Sequence, residues 1–268
     1  MTQFQKITRN CAIGIAAFII MVIINSLGLA LNVFSGVLGL RTSDEYELER
    51  VNIESGTITN LSIDLASTKL ELVTSDEFKI ETNNSKIKVV EQNNKLEIKE
   101  KQNFINNSFK SNKLVVYLPN EVVLDVLSID SGAGEILIEN LSVNKLDLDI
   151  GAGNVNIDKL TVNNSSDISG GTGSLAIKDG KINNLNLEVG VGSTDINLVL
   201  TGYNEIEAGV GKLNLNLLDS IDNYKINLEK GIGAIKLNDA NVNNNTYGTG
   251  NNTIKVEAGI GSIEITTK

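Results

Sequence analysis

Apolar residues along positions 127–268 recur two apart in short groups, and each group keeps a fixed distance from a Gly-x-Gly motif. The motif reads Gly132-Ala133-Gly134, Gly151-Ala152-Gly153, Gly171-Thr172-Gly173, Gly190-Val191-Gly192, Gly209-Val210-Gly211, Gly231-Ile232-Gly233 and Gly259-Ile260-Gly261. From first glycine to first glycine the steps are 19, 20, 19, 19, 22 and 28 residues. With that glycine as position zero, position −3 is Ile129, Leu148, Ile168, Leu187, Ile206, Leu228 and Val256. Position +6 is Ile138, Ile157, Ile177, Ile196, Leu215, Leu237 and Ile265, and position +4 is apolar everywhere except Thr194. A further pair falls at +9 and +11, as in Leu141/Val143, Leu160/Val162, Val199/Thr201 and Ala240/Val242. Spacing by two predicts strands with one buried face.

A fixed period of this length predicts stacked repeats, each unable to close a core alone. The fold class expected is therefore all-β: a β-solenoid of coils of about 19–22 residues, with three short strands per coil. Coils about 4.8 Å apart would give a rod of roughly 30 Å. The glycines suit tight corners, and Asn163-Asn164, Asn183-Asn184 and Asn243 to Asn245 suit corners where Asn tolerates a left-handed backbone. The unit at 166–184 departs from the pattern at Ser166, Gly170 and Gly180, which predicts a kink or a weak coil there. A phosphate-binding loop is excluded, because that needs one glycine-rich turn opening a helix.

Upstream, residues 12–40 form a long apolar stretch without a charge. A run above about 18 such residues predicts one transmembrane α-helix ahead of the repeats. Lys6 and Arg9 precede it, which puts the N-terminus inside and the repeats outside. The division expected is 1–11 cytoplasmic tail, 12–40 membrane helix, 41–50 acidic linker, 51–126 irregular strands and 127–268 regular coils. Within the irregular part, Ile63 to Leu72 fits the repeat with Ala66-Ser67-Thr68 in place of Gly-x-Gly, which predicts a degenerate first coil. Strands are expected at 78–81, 87–91, 96–99 and 114–118, the last ended by Pro119. The final coil ends at Ile265 with only Thr266-Thr267-Lys268 beyond it. Its exposed ladder predicts end-to-end self-association or docking of a partner strand.

The chemistry is notable for what it lacks. After residue 50 there is no His, Cys, Arg, Trp or Met. The usual metal sites and nucleophile–base pairs need those residues, so the sequence predicts no enzyme, no catalytic residue and no cofactor. Carboxylates alone can form a glycosidase pair, which leaves a carboxylate-dependent glycan enzyme as the least favoured class. The lone Cys11 means that the domain beyond the anchor cannot depend on disulfides. A net charge of −10 argues against nucleic acid as partner.

One polar pattern is regular. Position −2 reads Asp130, Asp149, Ser169, Glu188, Glu207, Glu229 and Glu257, and the inward residue at −3 turns it outward. Stacked coils would align these carboxylates, where neighbours about 4.8 Å apart repel by roughly 0.9 kcal/mol in water. Asp130, Asp149, Glu188, Glu207, Glu229 and Glu257 are thus the candidates for an oxygen-ligand calcium ladder. A surface recognising a basic partner is the other functional option, but the favoured reading of such a row is a solvated face that resists sheet-to-sheet aggregation.

Three features together carry a resemblance: the anchor, the strand Lys113-Leu114-Val115-Val116-Tyr117-Leu118-Pro119, and serial units such as Leu127-Ser128-Ile129-Asp130-Ser131-Gly132-Ala133-Gly134 and Leu146-Asp147-Leu148-Asp149-Ile150-Gly151-Ala152-Gly153. The chain resembles, over about residues 50–268, a bacterial family of β-strand-repeat proteins known as "putative adhesin". That resemblance implies a bacterial envelope protein with a β-solenoid domain and carries no catalytic motif. The function expected is a single-pass, membrane-anchored, extracytoplasmic module that adheres to or scaffolds an envelope polymer or surface protein. The alternative expectation is a membrane-proximal module that senses envelope state through a partner.

Overall fold

The structure, a computed structural model, describes residues 48–51, 58–101 and 112–268. The expected membrane helix at 12–40, and with it the tail and most of the linker, lies outside the described residues. Among the described residues no helix is long and apolar enough to cross a membrane.

The described chain is all-β, apart from one 3-10 turn at Ile221–Asn223. Its strands are β1 (Glu49–Val51), β2 (Asn60–Leu65), β3 (Lys69–Ser75), β4 (Lys79–Thr82), β5 (Ile87–Gln92), β6 (Lys95–Glu100), β7 (Lys113–Pro119), β8 (Leu124–Ile177), β9 (Gly180–Asn183), β10 (Leu185–Thr201), β11 (Tyr203–Leu217), β12 (Tyr224–Leu237), β13 (Ala240–Asn241), β14 (Asn245–Tyr247) and β15 (Asn252–Thr267). They form one long, repeat-like sheet. Successive repeats lie parallel and in register: Leu187 pairs with Ile168 and Ile206, and Gly192 with Gly173 and Gly211. One buried cluster of Leu, Ile and Val runs from Ile58 to Ile265.

Three short strands per coil were expected, but β8 alone runs through several repeats without a break. The reason lies at the corners. The parallel ladder continues through each Gly-x-Gly motif, with Val191 paired to Val210 and Gly192 to Gly211. At Gly192 the backbone has φ of 152°, and a Cβ would overlap the carbonyl oxygen of Gly173 in the coil below. A glycine there lets the chain bend while its hydrogen bonds to the next coil persist.

The coil at 166–184 does not kink. It pairs on both sides in register, Leu185 with Ser166 through Ile196 with Ile177. Its strands break at Lys178 and Asp179 and again at Asn184, and Gly180 resumes on Leu160. Past that break Leu200 pairs with Ile182, so the inward residues of the next coil are Leu198 and Leu200 rather than Val199 and Thr201. A slip of one residue exchanges the faces of a strand. Ala240, also expected inside, is exposed in β13, which folds back antiparallel on β12.

The degenerate first coil is present. Ile63 pairs with Ile129, Leu70 with Ile136 and Leu72 with Ile138. The outer side of this coil is closed by β6 on β2 and by β7 on β3, with β5, β4 and β1 added antiparallel. Where a further coil would supply corner carbonyls, the Glu100 carboxylate accepts N–H bonds from Ala66 (2.8 Å) and Ser67 (3.1 Å). Asn84 Nδ2 donates to Glu100 Oε1 at 2.9 Å and to Thr68 Oγ1 at 2.8 Å. Burial works against the Glu100 charge. The donors Ser67, Ala66, Asn84 and Thr68 outweigh it and hold its pKa below the ordinary 4.5.

At the other end the order of coils departs from the order of the chain. β15 lies between β11 and β12, with Ile206 and Leu228 both paired to Val256. The expectation that the last coil leaves an open ladder is therefore overturned, because both of its edges are occupied. The end coil is β12. Its outer edge is covered by β14 over Ile226 to Leu228 and by β13 over Lys236 and Leu237. Between them Asn244 accepts from Lys230 N (3.2 Å) and donates to Lys230 O (3.3 Å), as a neighbouring strand would.

Two predictions follow from these contacts. Gly192→Ala should cost on the order of 3 kcal/mol or more, because strained backbone and steric overlap act together; urea unfolding followed by circular dichroism measures it. Glu100→Gln should lose roughly 2 kcal/mol at pH 7 by giving up charge-assisted bonds. A lowered carboxylate pKa contributes stability above its unfolded value and loses it as pH falls through the folded one. The difference between wild type and Glu100→Gln should therefore shrink below about pH 4.5, as read from melting temperatures across that range.

Candidate functional site

The parallel register turns each sequence position into a column along the stack. Position −2 runs in space Asp64, Asp130, then Asp149, Ser169, Glu188, Glu207, Glu257 and Glu229. Gly151 resting on Gly132, and Gly171 on Gly151, place Asp149 between its neighbours. The structure thus brings the six acidic residues expected from the sequence into one row and adds Asp64. Ser169 divides the row in two, and the insertion of β15 exchanges Glu257 with Glu229.

Crowding shows in the electrostatics. Burial and then the neighbouring charges of Asp149, Asp64 and Asp147 push the Asp130 carboxyl up. Burial and then Glu188, Glu257 and Glu205 push Glu207 up, against the opposing Lys255. Lys255 enters with β15 at position −4, next to Glu205, and its Nζ bonds Glu205 Oε1 at 2.8 Å and also Glu257 Oε1. The Glu205 and then the Glu257 bonds hold its ammonium pKa above the ordinary lysine value. The acids are spread one per coil along a line, and among the described residues no group of three His, Cys, Asp or Glu side chains is placed to hold a metal ion.

Another column is mostly amide. Asn144 donates to Asp125 at 3.2 Å, Asn163 to Asn144 at 3.0 Å and Asn183 to the Asn163 carbonyl at 3.1 Å. These side-chain ladders add hydrogen bonds between coils. Of the Asn pairs expected to turn corners in left-handed backbone, Asn184 does so, with φ of 56°.

Position +1, inside the Gly-x-Gly motif, is a third column that sequence reasoning passed over. It runs Thr172, Val191, Val210, Ile260 and Ile232. Ile260 is 51% and Ile232 71% exposed. Glycines flank each of these residues within the chain, and Ile260 lies in register between Val210 and Ile232. The signal in the sequence is the growth of the middle residue from Ala133 to Ile232. At the coil of Gly171 the column meets a recess lined by Ile150, Ile168, Leu175, Val189 and Val191.

The family model described as Toastrack DUF4097 matches residues 58–267, most of the chain. A crystal structure from Bacteroides fragilis, described as a "putative adhesin", is 17% identical with a TM-score of 0.50, covering 82% of this chain and 98% of that one. A second, from Clostridium sporogenes and described as a "putative cell adhesion protein", is 20% identical with a TM-score of 0.38, covering 83% and 99%. At such identities the first likeness speaks for the fold alone. No curated protein matches the chain.

Lys255→Met keeps the aliphatic stem but removes the ammonium between Glu205 and Glu257. It should lower stability at pH 7 by roughly 1–3 kcal/mol, because half-buried carboxylates lose their counter-charge. The Glu207 carboxyl, already pushed up by burial and by Glu188, Glu257 and Glu205, would lose the opposing Lys255 charge; it destabilises the fold when ionised, and this penalty fades as pH falls towards its pKa. The deficit of Lys255→Met should therefore be largest near pH 7 and smaller near pH 5, as read from melting temperatures at both values.

Proposed function

The chain belongs to the Toastrack DUF4097 family, and we propose that this member is a non-catalytic, adhesin-like binding or scaffold module of a bacterial cell envelope. We read its sheet as a β-solenoid, held outside the membrane by a single helix at residues 12–40 with the N-terminus inside. One observation carries the binding reading: the outward positions from −4 to +6 are repeated in register along the stack. The result is a long surface of parallel acidic, amide and apolar columns. Such a surface suits contact with an extended polymer or protein, in the manner of other stacked repeats. The names of the structural neighbours point the same way.

The orientation proposed follows from the anchor. β1, the first described strand, joins β4 at the capped end beside the Ala66 corner. Ten linker residues reach at most about 35 Å, so that end would face the membrane and the β12 end would point away. The same short reach favours a membrane-proximal sensor over long-range adhesion as the second reading. The acidic columns would favour a neutral or basic partner over anionic lipid.

The test is retention of the full chain, immobilised in detergent, by two pools: envelope extract from the producing bacterium, and foreign cell or matrix surfaces. Foreign retention is the outcome expected of an adhesin, and retention only by the producer's own envelope that of a scaffold or sensor. Capture of neither pool would count against a binding module.

A further inference from the structure

The capped end of the stack carries a charge opposite to that of its side. Along position −2 the acidic row ends at Asp64, and the next residues outward are Lys99 on β6 and Lys88 on β5. In this hairpin Leu96 and Ile98 are buried, and Ile87 and Val89 pack against the core. Alternation therefore turns Lys88, Val90, Lys95, Lys99 and Lys101 outward on one face. Among the described residues of the hairpin, Glu97 is the carboxylate that shares this face, and it binds Lys99 at 2.8 Å.

Four lysines to one glutamate make an uncompensated patch in a chain of net charge −10. The crowding is visible: the Lys88 ammonium pushes the Lys101 pKa below the ordinary lysine value. Around β1, β4 and β7, at the same end, cations are instead matched, Arg50 with Glu77, Lys79 with Glu81 and Lys113 with Glu71. Lysines on an edge strand deter pairing with foreign strands. That accounts for Lys88 on β5, but not for Lys95 and Lys99 on β6, which has β2 and β5 on either side. Val90 stands among these cations, 55% exposed.

We propose that this face of β5–β6 rests on the membrane surface, where Lys88, Lys95, Lys99 and Lys101 bind anionic phospholipid headgroups and Val90 dips between them. The inference rests on the anchored reading above. β1 and β5 are the outermost strands on two sides of one end. The chain leaves β1 toward the anchor with at most about 35 Å of linker. The hairpin is thus held within reach of the bilayer before it makes any contact. Headgroup phosphates supply the charge that the patch lacks, and each lysine near an anionic surface strengthens binding about fivefold. The acidic row starts one strand further in, at Asp64, and the same lipid repels it. Attraction at the foot and repulsion along the side stand the stack upright rather than let it lie flat.

The test places the full chain, with methyl-labelled Val, in lipid nanodiscs that carry a trace of gadolinium-chelate lipid. One set is phosphatidylcholine alone, and the other also contains phosphatidylglycerol. Paramagnetic relaxation of the Val90 methyls should be strong in the anionic discs and at least about threefold weaker in the neutral ones. Val210, far up the stack, should be unaffected in both. Lys88→Gln combined with Lys101→Gln should remove most of the difference without lowering the melting temperature, and so should about 0.5 M salt. No relaxation at Val90 in either set, equal relaxation in both, or a difference that survives the double variant would overturn the proposal. A Val90 shift that grows with chain concentration in lipid-free detergent would assign the patch to the acidic row of a second copy, and would also overturn it. A chain that fails to co-elute with either disc would overturn the anchored reading and this proposal together. A chain that co-elutes without relaxation at Val90 overturns the proposal alone.

Discussion

At each corner the backbone of one coil passes the next so closely that no Cβ fits between them. This contact sets the spacing from which the rest follows. It holds the coils at ladder distance, so that the strands on either side of the corner keep their parallel hydrogen bonds. It aligns the inward residues Ile168, Leu187, Ile206 and Val256 into one continuous core. It also aligns the outward residues into columns. The first coil illustrates the rule by its exception: Ala66 and Thr68 replace the glycines because β-sheet of the regular kind does not pass beneath that corner. A Cβ on Gly134, which lies over Thr68, would meet nothing nearer than 3.6 Å.

A stack held this way must stop at both ends, since an open corner would offer its ladder to any strand. Both ends stop by substituting side chains for backbone. Glu100 presents carboxylate oxygens where the carbonyls of a preceding coil would lie, and Asn244 presents an amide that both accepts and donates. The pairing of β15 between β11 and β12 then follows a simple economy. The segment after β12 supplies the end cap through β13 and β14, and the chain returns to occupy the slot beneath.

The columns connect this architecture to binding. A repeated acidic residue gains a neighbour of like charge with every coil, and the fold meets the resulting repulsion locally through Lys255 and through Ser169. The residues at +1 are stacked on one another in register, and exposure in that column is highest at Ile260 and Ile232. The acidic row therefore has internal reasons to be arranged as it is.

The sequence by itself determined the all-β class, the repeat, the buried positions −3 and +6, the degenerate coil at Ala66 and the alignment of Asp130, Asp149, Glu188, Glu207, Glu229 and Glu257. These depend on alternation and period, which are local properties of the chain. Tertiary structure alone decided the rest. The periodicity of β12 and β15 is the same, so either could follow β11, and only packing with the β13–β14 cap selects β15. The inward choice of Leu198 and Leu200 depends on a break at Lys178 and Asp179, twenty residues earlier in the stack's order and invisible to a count made within one coil. The roles of Glu100 and Asn244 arise from what lies across a gap in space, and a sequence records what lies next in the chain.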